Sequence, residues 1–172
     1  NILEGDSHLV DFKIEGNELR KFFRANVSGV GEIQIGGSID RLDMVTETTG
    51  RILRIVDYKT GRYEPEKMKV GSLDELFEPD PHHEHAYVLQ TMIYSLACLD
   101  DPQIAERYSG IPVKPQLLFT QKNLCDFSPD LSVGGEAIKD FNKIKQAFKE
   151  GLLRLVETIL AEEEFALIEA DG

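Results

Sequence analysis

The sequence lacks several features that would assign it to a specialised class of protein. It has no tryptophan and only two cysteines among 172 residues, which excludes the dense disulfide framework of small secreted domains. Cys98 and Cys125 do not have the short spacing of paired metal ligands, and we expect two reduced thiols. The longest apolar runs are too short to span a bilayer, and no basic and apolar leader opens the chain. We therefore expect a cytoplasmic protein without a membrane segment.

Basic residues are also scarce. Lysine and arginine number 19 against 31 aspartates and glutamates, so the net charge is −12. A free-standing domain that binds nucleic acid is usually basic, because neutralisation of phosphates supplies much of its affinity. An acidic chain can serve the same purpose if bound metal ions supply local positive charge or if other domains hold the nucleic acid. The chain opens on Asn1 rather than Met, and we expect it to be a piece of a longer protein.

The remaining composition is that of one folded domain. Apolar residues make up 41% and charged residues 29% of the chain, as in soluble globular proteins, and residues 1–172 are predicted to form a single domain. Strand-forming residues occupy 8–15, 19–26, 32–45 and 51–59, and Glu15-Gly16-Asn17 predicts a turn between the first two. Two adjacent glycines, Gly36 and Gly37, predict a bulge or a close backbone approach.

The rest of the chain alternates between helix and strand. Apolar spacing predicts helices over about 83–99 and 136–163 and a strand over 114–120, while 60–81 is a long loop with a short helix near 72–77. The strand at 51–59 is the most apolar, and such strands are usually central and buried on both faces. This order predicts an α/β fold with a central mixed β-sheet flanked by helices.

Two acidic positions seventeen residues apart carry the candidate chemistry. Asp57 and Lys59 lie on one face of their strand because side chains alternate, and a hairpin can bring Asp40 level with Asp57. Two carboxylates at such a short distance repel each other unless a cation lies between them. Mg²⁺ (or Mn²⁺) suits this position, since Mg²⁺ takes oxygen ligands and often only one or two carboxylates. The backbone carbonyl of Tyr58 would be a further ligand.

Three other side chains extend this arrangement. Lys59 would orient or deprotonate an attacking water, or stabilise charge on phosphorus oxygens, and the sequence does not choose between these roles. Gln90 and Tyr94 are four residues apart on the predicted helix and share a face. Their amide and hydroxyl groups suit a phosphate backbone or an unstacked base. Each motif alone is weak, because Asp-x-Lys on a strand is usually an exposed pair, but the combination favours a metal-dependent phosphodiesterase.

These motifs resemble those of the RecB-type branch of the PD-(D/E)XK nucleases, close to the nuclease domains of AddB-like recombination proteins. Residues 37–40 resemble its Gly-x-x-Asp motif, residues 57–61 its Asp-x-Lys motif with the following Thr-Gly, and residues 90–94 its Gln-x-x-x-Tyr motif. The resemblance covers roughly residues 32–99. It implies a restriction-endonuclease-like core that hydrolyses DNA with an exonuclease-like activity. This core would be the nuclease domain of a DNA repair helicase–nuclease. A helicase domain or subunit would be the partner.

The resemblance also implies a role for each motif residue. Asp40 and Asp57 would be metal ligands, Lys59 catalytic, and Gln90 and Tyr94 would bind DNA or shape the site. Two alternatives stay open. One is a catalytically silent nuclease-fold module that binds DNA or acts as a scaffold, and the other is an unrelated α/β binding domain with Asp57 and Lys59 as a surface pair.

The sequence departs from this pattern in two ways. The family usually has a His or Glu ligand on a helix before the Gly-x-x-Asp strand, whereas the residues before 30 predict strands, so we expect that N-terminal helix to be missing. His8 and Glu15 are weak substitutes. AddB-like nucleases often carry four cysteines for an iron–sulfur cluster; with two cysteines here, we expect no iron–sulfur cluster.

A few other polar residues have more ordinary interpretations. Asp43 is predicted to pair in the neighbourhood of Arg41 or with a turn, and it is the second candidate for a metal ligand. Arg41 and Arg62 are predicted to form surface ion pairs rather than phosphate contacts. Of the three histidines before the predicted helix, His83 alone could share the face of Gln90 and Tyr94.

Overall fold

A four-stranded mixed sheet forms the centre of the computed structural model, which describes residues 12–80, 82–122 and 128–161. The strands are, in chain order, β1 (Phe12–Val27), β2 (Gly31–Glu47), β3 (Gly50–Lys59), β4 (Lys69–Val70), β5 (Val113–Phe119), β6 (Ser132–Val133) and β7 (Glu136–Ala137). The central sheet has the order β1-β2-β3-β5, with β5 parallel to β3 and the other neighbours antiparallel. A small second sheet joins β4, β6 and β7. The predicted α/β fold with a mixed sheet is confirmed.

The helices that cover this sheet are α1 (Ala86–Asp100), α2 (Pro102–Arg107) and α3 (Lys145–Ala161). The main core lies between the sheet and the helices, and it is one buried cluster that includes Met92 and Leu96 of α1 and Leu53 and Ile55 of β3. These four side chains are fully buried; burial of each such side chain contributes roughly 1.5–3 kcal/mol. Within the described residues, no helix is both long and apolar enough to cross a bilayer.

β1 differs from its prediction, because residues 12–27 form one strand rather than two. The pairing with β2 shifts by one residue between Ile14 and Gly16, so a β-bulge at Glu15 takes the place of the predicted turn. The long β2 strand offers pairing partners along the whole length of β1. That cooperative pairing outweighs the local preference of three residues for a turn.

The distal half of the β1–β2 hairpin forms a two-stranded ribbon. β2 pairs with β1 from Gly31 onward but with β3 only from Arg41 onward. Gly36 lies in this ribbon with φ +155, and a Cβ there would lie 2.1 Å from the carbonyl oxygen of Lys21. Only glycine fits such a position, so the predicted close backbone approach is confirmed.

β3 is central, as predicted from its apolar sequence, since it lies between β2 and β5. The helix boundaries were less predictable. α3 starts at Lys145 rather than near 136, because Asp140 accepts the backbone N–H groups of Asn142 and Val113, each at 3.1 Å. Those bonds hold the segment before α3 in a 3₁₀ turn attached to β5.

Candidate active site

Asp40 and Asp57 lie side by side where the β2–β3 ladder ends. The last cross-strand pair joins Arg41 to Val56, so Asp40 and Asp57 occupy the next two positions. Beyond that pair, the Oδ2 atom of Asp40 accepts the backbone N–H of Tyr58 at 2.7 Å. The backbone at the end of β3 therefore holds the Asp40 carboxylate beside Asp57. The register of the β2–β3 hairpin brings Asp40 level with Asp57, as the sequence predicted.

Asp57 is an acid in an unfavourable environment. Its side chain is buried, and this burial raises the pKa to about 6. The Lys59 ammonium opposes the rise, and the neighbouring Asp40 carboxylate adds to it. Asp57 Oδ2 lies 2.6 Å from Lys59 Nζ, so the two side chains form an ion pair. The Asp57 carboxylate thus lies between a second carboxylate and one ammonium.

Lys59 is held by the helix opposite. Its Nζ donates to Gln90 Oε1 at 2.5 Å, and Gln90 Nε2 donates to Tyr94 Oη at 2.8 Å. The same Nζ lies 4.6 Å from the centroid of the Tyr87 ring, a cation–π distance. Burial and the nearby charge of Asp57 raise the pKa of Tyr94. The structure therefore places Gln90 and Tyr94 on the side of the sheet that carries Asp57 and Lys59.

Tyr87 is a contact of Lys59 to which sequence reasoning assigned no role. The signal was present, because Tyr87, Gln90 and Tyr94 have the i, i+3, i+7 spacing of one helix face. What the sequence did not show is that this face meets the end of β3. The cation–π contact and the bond to Gln90 together restrict where the Lys59 ammonium lies.

The carboxylate oxygens of Asp40 and Asp57 fit a hydrated divalent cation. Among residues 12–80, 82–122 and 128–161, no group of three or more His, Cys, Asp or Glu side chains could hold a metal ion. Asp40 and Asp57 form a pair instead, and Mg²⁺ is often bound by one or two carboxylates with several waters retained. A cation between them would relieve the repulsion that helps to raise the pKa of Asp57.

Asp43, the second candidate ligand, belongs to a different structure. It accepts from Arg54 Nε at 2.6 Å and from Arg54 Nη2 at 2.7 Å, and it lies 2.9 Å from Arg41 Nε. Arg41 is 1% exposed, so its predicted ion pair is present but is buried rather than at the surface. Because strand residues alternate, Arg41 and Asp43 point away from the face that carries Asp57. The predicted pairing of Asp43 in the neighbourhood of Arg41 is therefore confirmed, and Asp43 does not join Asp57 as a ligand.

The remaining predicted contacts lie elsewhere. Glu15 accepts from Arg107 Nη2 at 2.6 Å and from Tyr108 Oη at 2.9 Å, so its carboxylate is engaged away from the site. His83 has φ +55 and precedes the first residue of α1, so helical spacing does not place it on the Gln90 face. Arg62 is exposed. His8 lies outside the described residues.

Comparison with known proteins agrees with this geometry. No curated protein matches the chain significantly in sequence. A family model of the PD-(D/E)XK nuclease superfamily, however, matches residues 3–171. The match spans the β2–β3 hairpin, the α1 helix and the mixed sheet that a restriction-endonuclease-like core requires. The chain therefore belongs to the PD-(D/E)XK nuclease superfamily.

Proposed function

We propose that this chain is the catalytic domain of a metal-dependent deoxyribonuclease of the RecB/AddB-like type. Superfamily members are mostly metal-dependent nucleases, and one observation supports that activity here. The Asp57 carboxylate and Lys59 ammonium form an ion pair, with the Asp40 carboxylate beside Asp57. These groups suit phosphodiester hydrolysis, because they supply oxygen ligands for a cation and a positive charge near the reacting phosphate.

Each residue of the site has a proposed task. Asp40, Asp57 and the Tyr58 carbonyl would hold Mg²⁺ or Mn²⁺, and the ion would supply Lewis-acid chemistry at the phosphate and the attacking water. Lys59 orients the attacking water or stabilises charge on the phosphate oxygens. Gln90 keeps the ammonium in place through its 2.5 Å contact. Gln90 and Tyr94 also present polar groups to the bound DNA.

The wider context follows from the family resemblance of the motifs. We propose an exonuclease-like activity on DNA within one domain spanning residues 1–172, in a cytoplasmic repair or recombination protein. A helicase domain or subunit would supply the basic surface that a chain of net charge −12 needs to hold DNA. The chain is proposed to act without an iron–sulfur cluster.

The test compares two lysine variants for DNA degradation by the full-length protein in Mg²⁺, in Mn²⁺ and in EDTA. Lys59→Ala should slow cleavage at least about 100-fold, the usual cost of losing one group that stabilises transition-state charge. Lys114→Ala is the matched control, because Lys114 is 15% exposed against 13% for Lys59 and also contacts a carboxylate, Glu47, at 3.3 Å. It should cleave at the rate of the parent protein.

Linear and circular DNA substrates distinguish an exonuclease from an endonuclease. Degradation of linear DNA alone supports the exonuclease proposal, whereas cleavage of closed circles would replace it with an endonuclease. DNA binding without cleavage in any metal would identify the catalytically silent module. Full activity of Lys59→Ala would overturn the assignment of the site.

A further inference from the structure

A groove with mostly apolar walls runs beside the candidate active site. It has a volume of about 450 Å³ and lies between the β1–β2 ribbon and α1. The ribbon contributes Ile35 and Gly36, and α1 contributes the other six lining residues, Ala86, Tyr87, Leu89, Gln90, Ile93 and Tyr94. All eight are partly exposed, so mostly apolar side chains line an open cleft. We call this cleft the ribbon groove.

The ribbon groove shares a wall with the site. Gln90 and Tyr94 line the groove, and Gln90 also contacts Lys59 Nζ at 2.5 Å. A ligand that spans both regions would therefore meet charged and polar groups at one end and apolar surface at the other. A nucleotide has this division, because its phosphate is charged and its base has apolar faces.

We propose that the ribbon groove binds one unpaired nucleobase of the substrate strand, next to the phosphate that is cleaved. This inference rests on the proposed function, since it assumes that DNA phosphate is held at Asp40 and Asp57. Ile35 and Ile93 provide apolar contact for the faces of the base. The Gln90 amide and Tyr94 hydroxyl lie at the wall where the polar edge of a base would be.

The groove then selects a class of substrate. A base in a duplex is stacked and paired, so it must leave the helix before it can enter a cleft, and leaving costs free energy. An unpaired base needs much less free energy to enter the cleft. Single-stranded DNA and frayed ends should therefore bind better at this site than intact duplex.

The experiment separates base contacts from phosphate contacts. Two fluorescent single strands of equal length, one with thymine bases and one fully abasic, are titrated with full-length protein in Ca²⁺ to suppress cleavage. Both carry the same phosphates, so only base contacts distinguish them. Parent protein should bind the thymine strand roughly tenfold more tightly than the abasic strand, as expected for one base held on an apolar platform.

Variants from both walls locate the effect. Ile93→Ser on α1 and Ile35→Ser on the ribbon should each abolish the preference for thymine over abasic DNA, and thermal melting shows whether each variant is folded. Ile14→Ser is the matched control, because Ile14 is an exposed isoleucine, 39% accessible, that does not line the groove. It should keep the full preference.

The possible results are distinguishable. If the parent protein cleaves DNA but binds both strands equally, the ribbon groove does not hold a base, and the proposed function stands. The same conclusion follows if both groove variants are folded and keep the preference. If sedimentation shows that Ile93→Ser disrupts self-association instead, the occupant is a second copy of the chain. If the parent protein neither binds nor cleaves DNA, the proposed function fails together with this inference.

Discussion

The backbone of Gly37 lies directly against the ring of Tyr94. A Cβ atom added at Gly37 would lie 2.8 Å from Tyr94 Cε1, closer than such atoms approach each other in real structures. Gly37 leads into the segment that carries Asp40, and Tyr94 accepts a hydrogen bond from Gln90 at 2.8 Å. The segment 37–40 of β2 and the helix α1 therefore meet in one packing contact. This contact connects the strand that carries Asp40 to Gln90, the hydrogen-bond partner of Lys59.

Replacement of Gly37 by alanine should impair the site more than the fold. The added methyl group would push the Tyr94 ring and disturb its bond to Gln90, so we expect cleavage to slow about tenfold while the melting temperature falls by only a few degrees. The control is Gly61→Ala, whose Cβ would lie 3.7 Å from Tyr87 Oη, an ordinary contact. Equal cleavage rates for the two variants would contradict this role of Gly37.

Metal binding should require both carboxylates of the site. Asp40→Asn and Asp57→Asn should each weaken Mn²⁺ or Mg²⁺ binding more than the roughly 10- to 100-fold caused by loss of an outer-shell partner, because each removes a direct ligand. Isothermal titration calorimetry measures the affinity. Asp74→Asn, at an exposed position, should bind the metal as the parent does. Unchanged binding by Asp57→Asn would remove Asp57 from the ligand set.

The metal-free domain should lose stability as the pH rises through the range in which the Asp57 carboxyl group loses its proton. Its pKa is raised from 3.8 to about 6, so between these values the folded state holds a proton that the unfolded chain has released. Stability is therefore full below about pH 4 and falls until about pH 6. Asp57→Asn should remove this fall and stabilise the domain at pH 7 by on the order of 1–3 kcal/mol.

Urea denaturation in EDTA at pH 4 to 7 measures this difference. Added Mg²⁺ should stabilise the parent protein at pH 7 and have little effect on Asp57→Asn, because only a ligand that binds the native state shifts the unfolding equilibrium. A pH profile of the parent that is flat across this range would show that Asp57 is already ionised without metal.

The buried ion pair of Asp43 and Arg54 should matter for stability and not for chemistry. Asp43→Asn removes the carboxylate from two buried guanidinium groups, and we expect a loss of about 3–5 kcal/mol in urea denaturation. Glu47→Gln is the control, because Glu47 pairs with Lys114 at 3.3 Å with 40% of its side chain exposed; it should cost less than about 1 kcal/mol. Asp43 lies on the opposite face of the sheet, so metal affinity in folded Asp43→Asn should equal that of the parent. A metal affinity that falls with this substitution would show that the two faces are coupled.

The sequence by itself determined the elements with strong local patterns. The apolar residues of 51–59 predicted the central strand β3, and the spacing of Gln90 and Tyr94 predicted that they share one face of α1. Alternation along the strand placed Asp57 and Lys59 together. These predictions succeeded because side-chain periodicity is a property of a few consecutive residues, which the sequence displays directly.

Only the tertiary structure decided how those elements meet. It put a bulge at Glu15 in place of the predicted turn, joined Asp43 to Arg54, and brought Gln90 to Lys59 across 31 positions of the chain. Each outcome depends on strand register or helix docking, which many distant contacts set together. A local signal such as a turn sequence contributes far less free energy than the pairing of two long strands, and for this reason the distant contacts prevail.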